Sequence, residues 1–373
     1  MTAKLRIMTI VGTRPEIIRL SSLIRKLDRH TEHTFVHTGQ NADPNLKDVF
    51  FTDLGLREPD VYLDSAATSL GETMGNILWK SEKIMREFNP MAVMILGDTN
   101  SALAAIVAER LQIPVYHMEA GNRSFDLNVP EELNRRLVDH VATFNLPYNS
   151  HSRSNLLREG IHPRFIFTTG SPMREVIEEN LEKIESSEVL KRLNIKSDGY
   201  ILASLHRQEN VDDQRRLTVL IEALDELARA YKLPVIMSTH PRTQKMLNQF
   251  RITKPQNVSF AEPFGFLDYC KLQQNSRIVI SDSGTISEES ALLGFRAVTT
   301  RDSMERPEAL ESGSITMTGL EVASILRGVE IALQRPTPER MPEGYETQCF
   351  SDNVLNFVFS TVSLAGKWKG LNS

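Results

Sequence analysis

The first motif that could carry chemistry is a candidate phosphate-binding turn near the N-terminus. Residues 12–16 read Gly-Thr-Arg-Pro-Glu, and Arg19 follows about one helical turn later. A glycine turn that leads into a helix presents backbone N–H groups at the positive end of the helix dipole, and Arg14 adds a forked donor. This combination favours a phosphate ligand. A tight turn beside a surface arginine has the same sequence pattern, so the motif by itself leaves both interpretations open.

Four acidic residues form a second candidate group. Asp98 and Glu119 each come directly after a short apolar run, and Glu131 and Glu132 follow Pro130. Carboxylates held close together shift one another's pKa, which lets one act as a base while another acts as an acid. Structural alternatives exist, because Asp98 would also suit a helix cap and Glu131 would also compensate a helix dipole. For Glu132 we adopt the dipole interpretation.

The second half of the chain carries a histidine and another candidate anion site. His206 follows an apolar run, and its adjustable charge near neutral pH suits donation to a phosphate or to a reacting oxygen. A lone histidine is more often structural, so this role needs further support. Ser283, Gly284 and Thr285 open a helical pattern directly after an apolar run, which again is typical of an anion-binding helix N-terminus. Glu289 lies on the first turns of that helix, where a carboxylate can accept from both hydroxyls of a ribose.

Together these motifs predict a nucleotide-sugar or pyrophosphate ligand in a cleft between two domains. Each glycine turn is weak evidence by itself, but the chain has one in each half, with acidic residues between them. Arg301, after the next apolar run, is a further candidate ligand to the substrate. The patterns GxxxxGK(S/T), GxGxxG, HExxH and GxSxG do not occur, which weakens P-loop hydrolysis, dinucleotide redox chemistry, zinc proteolysis and serine hydrolysis. We expect no metal and no cofactor.

The elements that must position these residues alternate between strands and helices. Apolar runs predict strands at residues 5–11, 92–96, 115–118 and 165–168, and then at 200–204, 235–238, 258–260, 278–281 and 297–300. Helical periodicity follows most of them, at 17–27, 102–111, 130–141, 172–184 and 212–231. Such alternation implies βαβ units around parallel sheets, with ligands beyond the carboxyl ends of the strands. The expected fold class is α/β, with two doubly wound domains.

Length and composition bound the remaining possibilities. A chain of 373 residues suggests two domains or three, and we place a boundary near residue 185, between domains at 1–185 and 186–352. The formal charge of −5 provides no basic field for a nucleic acid. Two cysteines distant in sequence, Cys270 and Cys349, exclude a disulfide scaffold. No secretory signal or membrane-spanning run is recognisable, so we expect a cytoplasmic protein without a membrane partner.

Read in order, the motifs resemble those of the UDP-N-acetylglucosamine 2-epimerase family. The matching residues are Gly12-Thr13-Arg14-Pro15-Glu16, Gly97-Asp98-Thr99, His117-Met118-Glu119-Ala120-Gly121, Pro130-Glu131-Glu132, His206-Arg207, Ser281-Asp282-Ser283-Gly284 and Glu305-Arg306-Pro307-Glu308. The resemblance implies two Rossmann-like domains of the glycosyltransferase-B type, with a C-terminal helix, about 353–373, packing back on the first domain. It also implies inversion of C2 in a UDP-2-acetamido sugar, by anti elimination of UDP to a glycal and re-addition of UDP. A homodimer is implied as well.

The resemblance also assigns roles to individual residues. Three carboxylates are implied as the acid/base groups around C2 and the sugar hydroxyls, namely Asp98, Glu119 and Glu131. Which of them takes the C2 proton stays open. The other implied contacts are Arg14 and His206 to the leaving diphosphate, Ser283 and Gly284 as its helix N-terminal anchor, Glu289 to the ribose and Tyr269 to the uracil. Arg19 and Arg301 are further candidate substrate ligands from their positions alone. His206 is counted with the catalytic group.

Departures from the common family pattern favour one branch. Arg19 stands where lysine is usual, Asn100-Ser101 replaces a repeated threonine, and Asn122 replaces an apolar residue in a shortened loop before Pro130. The family's allosteric site is not matched around residues 39–41. These features resemble the branch that epimerises UDP-2-acetamido-2,6-dideoxy-L-talose to UDP-N-acetyl-L-fucosamine for capsule or O-antigen synthesis. We expect selection of the 6-deoxy L-sugar in the loop at 122–129.

Four alternatives stay open at this stage. Within the class, the enzyme could convert UDP-N-acetylglucosamine to UDP-N-acetylmannosamine, or it could hydrolyse the intermediate and release UDP. A glycosyltransferase of the same fold is disfavoured, because transfer needs no proton shuttle at C2. A nucleotide-sugar binding protein with an inactive site is disfavoured by the intact set of Asp98, Glu119, Glu131 and His206.

Overall fold

The computed structural model describes residues 4–40, 51–335 and 340–371. Asn41, at the end of the unmatched allosteric motif, lies outside these residues. The chain divides into two compact units. Unit 1 runs to Glu178 and resumes at Glu343, and unit 2 is the continuous segment Glu179–Pro342.

Unit 1 is built on a parallel sheet of six strands. The strands are β1 (Arg6–Val11), β2 (Glu32–His37), β3 (Val61–Tyr62), β4 (Ala92–Leu96), β5 (Val115–Met118) and β6 (Phe144–Leu146). Their spatial order is β3-β2-β1-β4-β5-β6, and every pairing is parallel. This order reverses direction between β1 and β4, which is where ligands bind in doubly wound folds.

Helices connect these strands and supply the rest of unit 1. They are α1 (Arg14–His30), α2 (Leu70–Phe88), α3 (Ala104–Arg110), α4 (Pro130–Val141), α5 (Ser150–Arg158) and α6 (Met173–Glu179), and after the return of the chain α16 (Phe350–Thr361) and α17 (Ala365–Trp368). Short 3-10 turns precede α3 at Asn100–Leu103 and follow α5 at Pro163–Phe165.

Unit 2 repeats the same topology. Its strands are β7 (Ile201–Ser204), β8 (Val235–Ser238), β9 (Val258–Ala261), β10 (Ile278–Ser281), β11 (Ala297–Thr299) and β12 (Thr316–Met317), in the order β12-β11-β10-β7-β8-β9. Its helices are α7 (Leu181–Ser186), α8 (Val189–Arg192), α9 (Gln208–Val211), α10 (Gln214–Tyr231), α11 (Pro241–Gln249), α12 (Phe266–Asn275), α13 (Ile286–Leu293), α14 (Pro307–Ser312) and α15 (Val322–Gln334). The expected α/β class with two doubly wound, Rossmann-like halves is confirmed.

Besides shifts of a few residues at element ends, four sequence expectations differ from the structure. The single C-terminal helix expected at about 353–373 is two helices, α16 and α17. Residues 165–168 form only an isolated bridge from Ile166 to Asn145, because the 3-10 turn ends at Phe165 and leaves too little extended chain. The helix expected at 172–184 is two helices, α6 and α7, since Asn180 leaves helical geometry at ψ 7°. The helix expected from residue 102 begins at Ala104, after a 3-10 turn.

The C-terminal segment completes the core of unit 1. α16 packs against α1, and the ring of Phe357 stacks on Phe167 with centroids 4.2 Å apart. The same ring meets Tyr116 and Phe144 edge to face, and the Tyr116 hydroxyl lies 2.7 Å from Thr361 Oγ1. Aromatic pairs of this geometry add to the stability gained from burial. In the part of the chain that the structure describes, no helix is long and apolar enough to cross a membrane.

Candidate active site

The first predicted anion-binding turn lies where β1 meets α1. Gly12 approaches Thr38 so closely that a Cβ atom added to it would lie 2.5 Å from the Thr38 hydroxyl oxygen, so any other residue would force the Thr38 side chain to move. α1 then begins at Arg14 without a side-chain N-cap from Thr13. Uncapped N–H groups at a helix N-terminus are suited to a phosphate. Arg14 is half-buried at this end of the helix, and its contact with a diphosphate stays a prediction.

Asp98 follows β4, and a buried arginine holds its carboxylate. Arg135 of α4 donates from Nε and Nη2 to Asp98 Oδ2 at 2.7 and 2.6 Å. Asn134 of the same helix donates to the backbone carbonyl of Asp98 at 2.9 Å. The cap position of the following 3-10 turn belongs to Thr99, so Asp98 is not its N-cap. α4 therefore orients both the side chain and the backbone of Asp98.

Glu119 follows β5 in an unusual backbone conformation. Its φ is +64°, a left-handed value that is uncommon for residues other than glycine and is often found at functional sites. One carboxylate oxygen is paired with Arg19 Nη1, and the other accepts from Asn122 Nδ2 at 3.2 Å. A Cβ atom added to Gly97 would lie 3.9 Å from Glu119 Oε2. The Glu119 carboxylate thus lies beside the turn that carries Asp98.

Arg19 and Asn122, two of the departures noted in the sequence, therefore converge on one carboxylate. Asn122 is itself fixed, because Ser152 donates to its Oδ1 at 2.8 Å. The side chain of Arg19, which belongs to α1, is only 7% exposed, and its guanidinium pairs with the Glu119 carboxylate. Its expected role as a substrate ligand stays a prediction.

The first turn of α4 holds the other two acidic residues. Glu131 is half-buried and precedes Arg135 by four residues, so the two side chains share a helix face. Glu132 is fully buried and accepts from the backbone N–H and the hydroxyl of Ser124 at 2.9 and 3.0 Å. Burial opposes its ionisation, yet these hydrogen bonds and Arg136 hold the pKa of Glu132 below its usual value. Glu132 therefore anchors the loop at 122–129, which is more than compensation of a helix dipole.

A buried ion pair supports both strand ends. His117 of β5 lies 2.9 Å from Asp139 Oδ1 through Nδ1 and 2.8 Å from the Gly97 carbonyl oxygen through Nε2. Burial opposes protonation of His117, but its two acceptors hold its pKa above the ordinary value. Asp139 also pairs with Arg123 at 2.7 Å and accepts from the Gly121 N–H at 3.1 Å. The turns that follow Gly97 and Glu119 are thereby tied to one buried pair.

In unit 2, Asp282 organises the loop that carries His206. Its carboxylate accepts from the backbone N–H groups of His206 and Arg207 at 3.0 and 3.1 Å and from Asn210 Nδ2 at 3.0 Å. His206 keeps 37% of its side chain exposed, with Nδ1 at 3.5 Å from Asp282 Oδ1. Asp282 therefore holds the backbone of the loop, and the imidazole of His206 lies beside its carboxylate. The loop thus presents His206 beyond the end of β7.

The second anion-binding turn follows β10. Ser283 and Thr285 hydroxyls lie 2.9 Å apart just before α13, which has no side-chain N-cap. A Cβ atom added to Gly284 would lie 3.0 Å from Glu305 Oε1 and 3.2 Å from Arg207 Nη2. Arg301 donates to the other oxygen of Glu305 at 2.6 Å, and its guanidinium is buried. The structure places Arg301 in this ion-pair cluster, and its contact with substrate stays a prediction.

Glu289 and Tyr269 lie on the neighbouring helices α13 and α12. Glu289 is buried and accepts from Gln273 Nε2 at 2.6 Å. Tyr269 is half-buried, and burial, with a further contribution from Glu289, raises its pKa. Their expected roles at the ribose and the uracil are not tested by these contacts.

The sequence singles out neither Arg135 nor Asp139, and it gives His117 and Asp282 only as members of motifs, without a supporting role. Their partners lie far away in the chain, so only the fold brings them together. Within residues 4–40, 51–335 and 340–371, no group of three histidine, cysteine or acidic side chains could hold a metal ion.

Comparisons with known proteins agree with this arrangement. The model of the family described as UDP-N-acetylglucosamine 2-epimerase matches residues 25–356. A UDP-N-acetylglucosamine 2-epimerase of Methanocaldococcus jannaschii is 36% identical over 349 residues, covering 91% of this chain and 95% of the relative. A crystal structure from the same organism, described as a complex with UDP-GlcNAc and UDP, superposes with a TM-score of 0.91 at 35% identity, covering 95% of this chain and 100% of the other.

A further relative is assigned a different sugar. A UDP-2,3-diacetamido-2,3-dideoxy-D-glucuronate 2-epimerase of Pseudomonas aeruginosa is 34% identical over 334 residues, covering 88% of this chain and 92% of the relative. Relatives with different substrates are therefore similar to this chain to nearly the same degree. Overall identity does not distinguish the sugars, so the substrate must be argued from the site.

Proposed function

This chain belongs to the UDP-N-acetylglucosamine 2-epimerase family, and on that premise we propose that it inverts C2 of UDP-2-acetamido-2,6-dideoxy-L-talose to give UDP-N-acetyl-L-fucosamine. Enzymes of this family are isomerases acting on UDP-N-acetyl amino sugars. The product would serve capsule or O-antigen synthesis. A homodimer is part of the same proposal.

The reaction proceeds in two steps, elimination of UDP and its re-addition. A carboxylate of unit 1 takes the C2 proton, the C–H electrons form the C1–C2 double bond, and the C1–O bond breaks with its electrons on UDP. A proton is then delivered to the other face of C2, and a UDP oxygen re-forms the bond to C1. The transition state carries positive charge at C1 and negative charge on the diphosphate, so the sugar side needs carboxylates and the phosphate side needs cations and N–H dipoles.

Some of the proposed site residues serve the sugar side and the others serve the phosphate side. Asp98, Glu119 and Glu131 supply the carboxylates, held by Arg135 and by the Arg19–Asn122 pair. The phosphate side is supplied by five further groups, namely Arg14, His206, Ser283, Gly284 and the N-terminus of α13. Glu289 would accept from the ribose and Tyr269 would pack on the uracil. The observation that carries the proposal is Glu119, whose left-handed backbone and paired carboxylate adjoin the Asp98 turn.

The substrate assignment rests on the loop at 122–129. Asn122 makes this loop part of the Glu119 site, and Glu132 anchors its Ser124. Phe125 and Leu127 are 70% and 78% exposed, which leaves two large apolar side chains on a polar loop. A 6-deoxy sugar carries a methyl group at C5 where N-acetylglucosamine carries a hydroxymethyl group. An apolar contact would favour that methyl group by about 1–3 kcal/mol, the discrimination available from one small apolar group.

The test is proton exchange at C2 in D2O, followed by NMR. We expect deuterium at C2 of the recovered 6-deoxytalose nucleotide and of its product, with at most trace exchange into UDP-N-acetylglucosamine. Asp98→Asn is the inactive control, and Asp198→Asn, an exposed residue of unit 2, is the matched control that keeps activity. Exchange confined to UDP-N-acetylglucosamine would refute the substrate assignment and leave the reaction class intact.

The same samples distinguish hydrolysis from epimerisation through the amount of free UDP. If water traps the glycal, free UDP accumulates in step with loss of nucleotide sugar. In an epimerase that retains its intermediate, UDP stays far below the amount of product. Absence of C2 deuterium with both nucleotide sugars would refute epimerisation altogether and favour transfer or binding alone.

A further inference from the structure

Glu16 is a buried carboxylate that the mechanism above does not use. It lies on the first turn of α1, and only 3% of the residue is exposed. One oxygen accepts from the Gly12 N–H at 2.5 Å, and the other accepts from the Thr99 hydroxyl at 2.5 Å. The Ser101 hydroxyl oxygen lies 3.1 and 3.3 Å from the two carboxylate oxygens.

These contacts join two loops that are distant in sequence. Gly12 belongs to the turn after β1, which leads to Arg14, and Thr99 and Ser101 belong to the turn after β4, which carries Asp98. Strands β1 and β4 are neighbours at the point where the sheet reverses its order. Glu16 therefore bridges the two sides of the crevice in which a doubly wound sheet binds its ligand.

Both carboxylate oxygens of Glu16 accept hydrogen bonds in joining the two loops. The Gly12 N–H can only donate, and the hydroxyls of Thr13, Thr99 and Ser101 surround the same carboxylate, with Thr99 Oγ1 and Ser101 Oγ also 2.5 Å from each other. A neutral carboxylic acid would have to donate from one oxygen, so one of the hydroxyls would have to accept from Glu16 instead of donating to it. Protonation of Glu16 would therefore reorder the hydrogen bonds that join the two loops.

Burial works against that ionised form. Desolvation raises the pKa of Glu16 from 4.5 to about 7, although hydrogen bonds from Thr99, Gly12, Ser101 and Thr13 oppose the rise. The charged side chains on the adjoining segments are Arg14, Arg19 and Asp98, and on α4 Arg135. Of these, Arg19 pairs with Glu119 and Asp98 pairs with Arg135.

We propose that Glu16 is a positioning residue for the epimerase reaction, and that its ionised carboxylate holds the Arg14 turn and the Asp98 turn at the separation needed for turnover. The proposal rests on the proposed function, since C2 exchange is its readout. Glu16 touches no substrate atom in this account and acts through Gly12, Thr99 and Ser101.

The test compares Glu16→Gln with the wild-type enzyme from pH 5.5 to pH 8.5. We expect the wild-type kcat for C2 exchange to fall about tenfold per pH unit below the pKa of Glu16. Gln lacks the second acceptor, so kcat at pH 8 should be at least about tenfold lower and should lose this acid limb. The Kd for UDP should also rise, because Glu16 holds the turn that carries Arg14, a proposed ligand of the diphosphate.

A matched pair on the second loop keeps the test valid if Glu16→Gln folds poorly. Thr99→Val removes the hydroxyl that donates to Glu16, and Thr99→Ser keeps it. We expect Thr99→Val to lower kcat at least about fivefold and Thr99→Ser to stay within about twofold of wild type.

The results of these experiments distinguish a failure of the proposed Glu16 role from a failure of the proposed reaction. An acid limb that persists unchanged in Glu16→Gln, or a Thr99→Val kcat within twofold of wild type, would overturn the positioning role. Absence of C2 exchange in the wild-type enzyme would instead refute the proposed reaction.

Discussion

Replacing Glu16 by Gln should change the pH dependence of stability in a direction that follows from its burial. In the unfolded chain the carboxyl ionises near 4.5, and in unit 1 its pKa rises to about 7. Between these values the unfolded state loses its proton while the folded state keeps it. The contribution of this group to the free energy of unfolding is therefore at its maximum near pH 4 and falls as the pH rises toward 7.

The size of the effect follows from the same shift. Each tenfold change in acidity corresponds to about 1.4 kcal/mol, so a rise from 4.5 to about 7 amounts to about 3 kcal/mol. The Gln variant carries no titrating group at this position. The free energy of unfolding of the Gln variant minus that of the wild type should therefore increase by about 3 kcal/mol from pH 4 to pH 8. A constant offset caused by the substitution does not affect this increase.

Urea unfolding at several pH values measures this difference. The chain has two tryptophans, Trp79 and Trp368, and both belong to unit 1, so their fluorescence reports on the unit that contains Glu16. All other titrating groups are common to both proteins and cancel in the comparison. A difference that stays constant within about 0.5 kcal/mol across the range would refute a carboxyl buried with a raised pKa.

Three other substitutions test the site and the fold. Asp98→Asn should abolish C2 exchange, with a loss of at least about a hundredfold, while UDP affinity measured by calorimetry is retained. Gly284→Ala should weaken UDP binding at least about fivefold, since the added Cβ would lie 3.0 Å from a carboxylate oxygen. Gly366→Ala, where nothing lies within 4 Å, is its control. Phe357→Ala should destabilise unit 1 by about 3 kcal/mol through loss of the stacked ring, whereas Phe359→Ala, 44% exposed, should cost less than about 1 kcal/mol.

The fold was predictable wherever a strand is covered on both faces. The strands Ala92–Leu96, Val115–Met118 and Ile278–Ser281 match their predicted bounds, because a fully buried parallel strand is a continuous apolar run. β2 was not predicted, since it starts with the exposed Glu32 and follows α1 after one residue. β6 was missed for a different reason. Its central Asn145 is polar, and it is buried only because its amide donates to the Asp139 carbonyl.

The site was predictable to the extent that its residues follow strands. Asp98 and Glu119 in unit 1 and His206 and Ser283 in unit 2 were singled out in this way, since the strand ends of each parallel sheet converge at one edge, and their roles stay predictions. Their partners were not, because nothing local in the sequence links Asp98 to Arg135 or His206 to Asp282. Glu16 illustrates the limit most clearly. A first-turn acid on a helix usually compensates the dipole at the surface, and only the packed loops reveal that this one is buried.

The return of the chain to unit 1 has a consequence for the order in which the protein is made. Unit 2 is one continuous segment and is fully synthesised while unit 1 still lacks α16 and α17. Until Phe357 emerges from the ribosome, the rings of Tyr116, Phe144 and Phe167 lack the cover that it supplies. A nascent chain therefore exposes this aromatic surface throughout the translation of unit 2, which makes it a binding site for chaperones and a source of aggregation when translation stops early.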